Sequence, residues 1–265
     1  QSYARQVKPI LENIPLWTLT AEQLNHALHG HFDHLESRSK KNIYDFVRTV
    51  VRDAINNRRV PHDALAGFKI PRAHKKDINP LTEDEMKLII NNCSSYKYGL
   101  VIRLLILTGA RAGEVLGLCE DVIDFKKGSI TIQRTMNLQT GILKEEPKTS
   151  NSYRTIFLDD ETMNLLKEHI SKNKVRSINK KNNLVFQTVN GKPVRYSTIQ
   201  KTWKSILKKC DIDFIRIHDI RHSVITLLLD KNVSVIQVAS LVGQDVNTTT
   251  SKYAHKTRKG QAINL

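Results

Sequence analysis

Two arginines, a histidine, a lysine and a tyrosine occur in this chain in settings where their side chains could act on a phosphate. Arg111 follows a glycine turn in Thr108-Gly109-Ala110-Arg111-Ala112-Gly113-Glu114, at the start of a short apolar helix. Glu114 lies three residues on, shares its face and can hold the guanidinium. His218 and Arg221 open a second apolar helix in His218-Asp219-Ile220-Arg221, and their i, i+3 spacing projects both to one side. Lys148 sits in the turn before the strand that begins at Tyr153, and Tyr253 lies on a short helix after Leu241-Val242-Gly243-Gln244. A guanidinium fork matches two non-bridging phosphate oxygens. An imidazole can accept a proton, an ammonium can give one, and a phenolate is a nucleophile. Taken singly, each has a plainer reading: a surface ion pair, a capped helix start, a solubilising lysine, a packing tyrosine.

The charge balance narrows the setting. Lys and Arg number 42 against 26 Asp and Glu among 265 residues, a formal net charge of +16. A field of that sign gathers polyanions, with nucleic acid the commonest. Hydrophobic residues at 40% and charged residues at 26% are ordinary for a globular protein with a real core. Three widely spaced cysteines, Cys93, Cys119 and Cys210, suggest neither a disulfide framework nor a zinc site, and fit a reducing compartment. No apolar run approaches a membrane span and no signal peptide is visible. The opening Ser2-Tyr3-Ala4-Arg5-Gln6-Val7 already reads as helix, which suggests that a segment is missing before it. The cluster His26, His29, His31 and His34 has spacing that could hold a metal, but it lacks cysteine or a second cluster; a solvated or DNA-facing surface fits it better, and no metal is expected.

The elements that would position these groups are mostly α with a small antiparallel sheet, an α+β fold. Thr20 with Gln23 and Thr82 with Glu85 form capping boxes flanked by apolar staple pairs, and Ser197 with Gln200 and Ser234 with Gln237 repeat the box. A helix is expected from Ser37 to Asn57, with Ile43, Phe46, Val50, Val51 and Ile55 inward and Lys40, Lys41, Arg48 and Arg52 on the other side. Between Leu65 and Pro80 the pattern breaks around Gly67, Pro71 and the basic run Arg72-Ala73-His74-Lys75-Lys76. This divides the chain into a helical domain (1–70), a basic linker (71–80) and a larger domain (81–265). In the larger domain, helices are expected near 82–92 and 97–108. Alternation predicts strands at Ser129–Gln133, Ile142–Glu145 and Tyr153–Leu158, and a short apolar strand at Leu184-Val185-Phe186.

In this order, R-x-x-E, a turn lysine, H-x-x-R, and Gly-polar with a tyrosine nine residues after the polar position, the chain from about Leu81 to His255 resembles the catalytic domain of the tyrosine recombinase (phage integrase) family. The preceding helical segment looks like that family's core-binding domain, which clamps DNA. The resemblance puts Arg111, Lys148, His218, Arg221 and Tyr253 on catalytic positions and Glu114 on the supporting acid. Gln244 departs from it: the usual residue after the glycine is histidine, sometimes tryptophan. Glutamine can still donate a hydrogen bond to a phosphate oxygen, but carries no proton or charge.

The implied activity is site-specific DNA recombination, the integration or excision of a mobile element through a 3′-phosphotyrosine intermediate. It needs neither metal nor ATP, and no cofactor is implied. Implied partners are double-stranded DNA at attachment or crossover sites, a homo-oligomer on DNA (a tetramer in the synapse), and accessory DNA-bending or directionality proteins; no membrane is involved. A cytoplasmic, nucleoid-associated place in a bacterium follows. Lys40, Lys41, Arg48, Arg52, Arg72, Lys75 and Lys76 are the candidate DNA-backbone contacts, and affinity resting on them would fall steeply with salt. The apolar end Ala262-Ile263-Asn264-Leu265 is expected to dock on a neighbouring protomer. Two rivals stand beside this reading: a DNA-binding protein with a dead site, suggested by Gln244, and type IB topoisomerase-like relaxation.

Overall fold

The computed structural model of the chain describes residues 2–60, 64–73, 79–145, 153–173, 183–188 and 190–257, with the side chains of 2, 173 and 252–257 outside that description. It forms two compact units, Gln1–Asp77 and Ile78–Leu265.

The first unit is helical: α1 (Ser2–Leu11), a 3-10 turn at Leu16–Thr18, α2 (Ala21–Leu28) and α3 (Ser37–Asn56). The Thr20–Gln23 box caps α2, and its staple residues Leu19 and Leu24 are both buried. The buried stripe of α3 is Ile43, Tyr44, Val47, Val51 and Ala54, which corrects the expected set at Val50. That residue is half exposed at the rim, beside an apolar cleft shared with Val7, Leu11 and Phe46. The Tyr44 hydroxyl donates to Leu28 O at 3.0 Å, so the one polar atom of this buried ring is satisfied. The Asn25 side chain donates to Gly67 O and accepts from Lys69 N, both at 3.0 Å, and fastens the outgoing segment to α2.

The second unit surrounds a larger core. Helices α4 (Glu83–Cys93) and α5 (Gly99–Thr108) follow the second capping box. The short α6 (Ala112–Leu116) leads through a 3-10 turn at Glu120–Val122 into β1 (Ile123–Asp124) and β2 (Ser129–Ile132). Strands β3 (Thr135–Met136) and β4 (Leu143–Lys144) form their own antiparallel pair. Strand β5 (Arg154–Phe157) returns to pair with β2, giving a three-stranded antiparallel sheet in the order β1-β2-β5. Strands β1 and β3 were not anticipated, since two residues are too few to show alternation. Then come α7 (Asp160–Asn173), α8 (Tyr196–Lys209), α9 (Ile217–Asp230), α10 (Val235–Val242) and α11 (Val246–Thr257). Ile89, Ile102, Leu104, Phe186, Ile199, Trp203 and Ile220 are buried at the centre. A satellite core of Ile225, Val238 and Val242 joins α9 to α10.

Two sequence expectations fail for clear reasons. Leu184–Phe186 is no strand: Leu184 bridges Cys119 and Gln187 bridges Pro193, and a proline cannot extend a ladder. Ser197 is not a cap, because α8 starts two residues earlier with Arg195 at the N-cap position, behind buried Val194. The three cysteines are free and buried, and desolvation pushes the Cys93 thiol up to about 12, so it stays protonated and apolar in character. Among the described residues no helix is long and apolar enough to cross a membrane, and no group of three metal-binding side chains gathers.

Candidate active site

The site is built where three helix ends meet. Helix α5 stops at Gly109, which takes the left-handed conformation (φ 59°) that glycine adopts without strain. The chain reverses, and Arg111 becomes the N-cap residue of α6. Glu114 reaches back from the first turn of α6: its Oε2 accepts from Arg111 N at 2.9 Å, and its Oε1 accepts from Arg111 Nη1 at 2.8 Å. The same Nη1 donates to Gly243 O at 3.1 Å, just past the end of α10.

Arg221, one turn into α9, arrives from the other side. Its side chain is buried, and Nη1 donates to Gly109 O at 2.9 Å and Val242 O at 2.6 Å. Its Nη2 donates to Gln244 Oε1 at 3.2 Å. Arg111 and Arg221 therefore bond to the carbonyls of consecutive residues, 243 and 242. They share one locus, although they stand 110 positions apart in sequence and only one of them is buried.

His218, exposed, lies one turn before Arg221 on α9, and its ring meets the edge of His222 with centroids 5.2 Å apart. Beside it opens a cleft of about 460 Å³ whose lining includes Lys201, Lys204, Phe214 and Arg216. Gln244 follows the left-handed Gly243 (φ 65°) that ends α10, and Tyr253 lies on α11, its side chain outside the description. Lys148 lies outside the described residues, in the connection between β4 and β5.

Sequence reading overlooked Arg154. It is buried on β5, its Nη2 donates to Glu114 Oε2 and its Nε to Leu241 O, each at 2.9 Å. The signal was present: Arg154 falls in phase with Ile156 on the inward face of an alternating strand, where a charge demands a partner. Two guanidinium groups, those of Arg111 and Arg154, thus share the Glu114 carboxylate, while Arg221 bonds to the Gln244 amide oxygen.

Burial alone would push the Glu114 carboxyl up. The charge and hydrogen bond of Arg154, with the amide and guanidinium of Arg111, outweigh it and hold the carboxyl below its ordinary value. A carboxyl depressed on folding stabilises the fold above its unfolded pKa, and that contribution is lost as pH falls through the folded pKa. Glu114→Gln should therefore be less stable than the parent by a constant margin near neutrality, a gap that closes in acid below the usual glutamate range. Urea denaturation across pH measures it; a gap independent of pH would show that Glu114 is not ionised against these arginines.

The candidate DNA-contacting residues of the first unit are partly engaged within it. Lys40 pairs with Asp33, and Asp45 takes both Lys41 and, at 2.9 Å, Arg48. Arg52 and Arg72 are exposed, and Lys75 and Lys76 lie outside the described residues, as does the tail 262–265.

The sequence profile of the phage integrase family matches residues 79–259, and the chain belongs to that family. Among its relatives, the XerC-like tyrosine recombinase of Caldanaerobacter subterraneus subsp. tengcongensis is 26% identical over 83% of this chain and 62% of its own length. The tyrosine recombinase XerA of Saccharolobus solfataricus is 30% identical over 70% of this chain and 55% of its own. The chain thus spans less than two thirds of the length of both relatives. Among solved structures, the integrase of transposon Tn1549, in complex with a circular intermediate DNA, superposes with a TM-score of 0.78 at 18% identity, covering 95% of this chain and 87% of that one. A lambda integrase dimer bound to a core site gives 0.67 at 19%, covering all of this chain and 90% of that one. These likenesses establish the fold, a helical protein with small antiparallel sheets.

Proposed function

We propose that this chain carries out site-specific DNA recombination, cutting and rejoining strands through a 3′-phosphotyrosine link. The observation that carries the reading is the meeting of Arg111 and Arg221 at the end of α10. Their forks, in the roles we assign, clamp the non-bridging oxygens of the scissile phosphate as charge builds in the transition state. Tyr253 Oη attacks phosphorus and His218 takes its proton. The bond from phosphorus to O5′ breaks, and Lys148 protonates the departing oxygen. Because Gln244 Oε1 faces Arg221, its amide nitrogen is the end that donates to the phosphate. Reversal by a 5′ hydroxyl from another strand completes the exchange.

The finer reading is an integrase of a phage or conjugative element, acting as a tetramer on duplex DNA in a bacterial cytoplasm, with accessory DNA-bending or directionality proteins. The DNA-bound state of the Tn1549 and lambda integrases supports duplex DNA as substrate, and the transposon source of the former favours a mobile element. The first unit takes the role of core-binding domain, with Arg52, Arg72, Lys75 and Lys76 along the backbone. The engaged Lys40, Lys41 and Arg48 would have to exchange their aspartate partners for phosphates.

The test requires no knowledge of the target. Nicked duplexes of randomised sequence are incubated with the full chain, and DNA that stays attached in SDS is recovered. The wild type should enrich a defined sequence, and Tyr253→Phe should recover none. A chain that binds DNA equally well with either residue, and traps neither, is a binding protein and not a recombinase. Relaxation of plasmids without sequence enrichment would instead favour topoisomerase-like chemistry.

A further inference from the structure

Arg154 joins three parts of the site, β5, α6 and the end of α10, by hydrogen bonds. It stands on β5, and Nη2 binds Glu114, the residue that holds Arg111 at the start of α6. Its Nε binds Leu241 O in the last turn of α10. The guanidinium lies so close to Gly243 that a Cβ there would come within 2.5 Å of Nη1. Gly243 O in turn accepts from Arg111, and Gln244 accepts from Arg221. β5 also lies directly downstream of the connection that carries Lys148.

We infer that Arg154 is a positioning residue for strand cleavage, an inference that rests on the recombinase reading above. It acts through two links. By fixing both the charge and the orientation of Glu114, it sets where the Arg111 fork points. By pinning the Leu241–Gly243 turn, it sets the pocket wall to which Arg221 and Gln244 are bonded and from which α11 departs. The Arg154 fork is engaged within the protein, Nη2 by Glu114 and Nε by Leu241 O, so it acts on the phosphate only through these neighbours. A second buried arginine shows what a structural clamp without this role looks like. Arg103 donates to Thr162 Oγ1 at 2.8 Å and pairs with Glu161 at 2.7 Å, joining α5 to the start of α7 away from the cluster. Both residues stabilise the fold, but only Arg154 touches groups that hold the two phosphate-facing arginines.

The test measures single-turnover adduct formation by the full chain at saturating DNA, on the duplex recovered in the randomised selection. Arg154→Met should slow the step by about a hundredfold, the cost expected of an ångström-scale misplacement of reacting groups, while the dissociation constant for DNA stays unchanged. Arg154→Lys, which keeps the charge beside Glu114 but cannot also hold Leu241 O in the same plane, should recover part of the rate and reports if the methionine variant does not fold. Arg103→Met should lose thermal stability and keep the wild-type rate. Adding Glu114→Gln to Arg154→Met should cost less than it does in the wild type, because the carboxylate that Arg154 neutralises is gone. A wild-type rate in Arg154→Lys or Arg154→Met, equal slowing by Arg103→Met, or additive losses in the double variant would each overturn the inference and leave the recombinase reading in place. Failure of the wild type to form any adduct would overturn both.

Discussion

Arg221→Ala should form no detectable covalent adduct and should also lose a large part of the stability of the second unit. Two roles meet in this side chain. Its fork is assigned to the scissile phosphate, and its Nη1 already satisfies Gly109 O and Val242 O, which lie on buried residues at two helix ends. Truncation leaves both carbonyls without that donor and opens a void between α5, α9 and α10. At about 1–3 kcal/mol for each buried acceptor left unmet, partly relieved by entering water, a loss of about 2–5 kcal/mol is expected. Arg221→Lys separates the roles. One ammonium can meet a carbonyl and keep the pocket positive, but it cannot span Gly109, Val242, Gln244 and a phosphate. It should therefore regain much of the stability while cleaving slower by about 10²–10³-fold, the usual loss of a preorganised donor to a transition-state oxyanion. Urea denaturation beside the adduct assay reads both. An alanine variant as stable as the wild type would show that these carbonyl bonds contribute nothing net.

The contrast with Arg111 sharpens the point. Its side chain is 43% exposed, and its partner Glu114 keeps Arg154 when Arg111 is gone. In the proposed roles, Arg111 would therefore act almost purely on the phosphate, while Arg221 would serve the phosphate and is also a core strut. The helix-end carbonyls that orient them are the reason two arginines so distant in sequence point to one place.

What could be read beforehand follows from how local each signal is. The caps at Thr20, Thr82 and Ser234 and the glycine stops at Gly109 and Gly243 are short-range patterns, and all of them form. The helix starts that carry Arg111 and His218 were legible for the same reason. Pairings that depend on distant chain were not: β1 and β3 exist only because β2 and β4 lie beside them. The Lys40–Asp33 pair, which reaches outside α3 and is invisible from the helical wheel, joins the i, i+4 and i, i+3 pairs of Asp45 with Lys41 and Arg48 in turning part of an expected DNA-facing row inward on itself. Arg154 shows the limit most clearly. Its strand was anticipated, but a buried charge can be interpreted only when its partner is known, and Glu114 lies forty positions earlier on a helix.

Gly243→Ala should destabilise the second unit far more than the same change at Gly141. Both glycines have positive φ, 65° and 70°, so both alanines carry the left-handed strain of about 1–2 kcal/mol. Around Gly141 there is open space for a Cβ. At Gly243 the added carbon would meet Arg154 Nη1 at 2.5 Å, Cζ at 2.9 Å and Nε at 3.2 Å. That guanidinium is no loose end: Glu114 holds one side of it and Leu241 O the other. Relief requires either breaking the pair with Glu114, which strands a buried charge, or displacing the end of α10 and with it the carbonyls that hold Arg111 and Arg221. Breaking a buried pair costs about 3–5 kcal/mol, so the excess over Gly141→Ala should reach about 2–4 kcal/mol after partial relaxation. Under the proposed function cleavage should fall with it, since the displaced turn holds the two arginines assigned to the phosphate. In an Arg154→Met background the flexible thioether can yield, and the excess should shrink towards the backbone strain alone. Equal losses at the two glycines, measured by urea denaturation, would mean that Arg154 does not press on this turn, and the tie between β5 and the end of α10 would have to be given up.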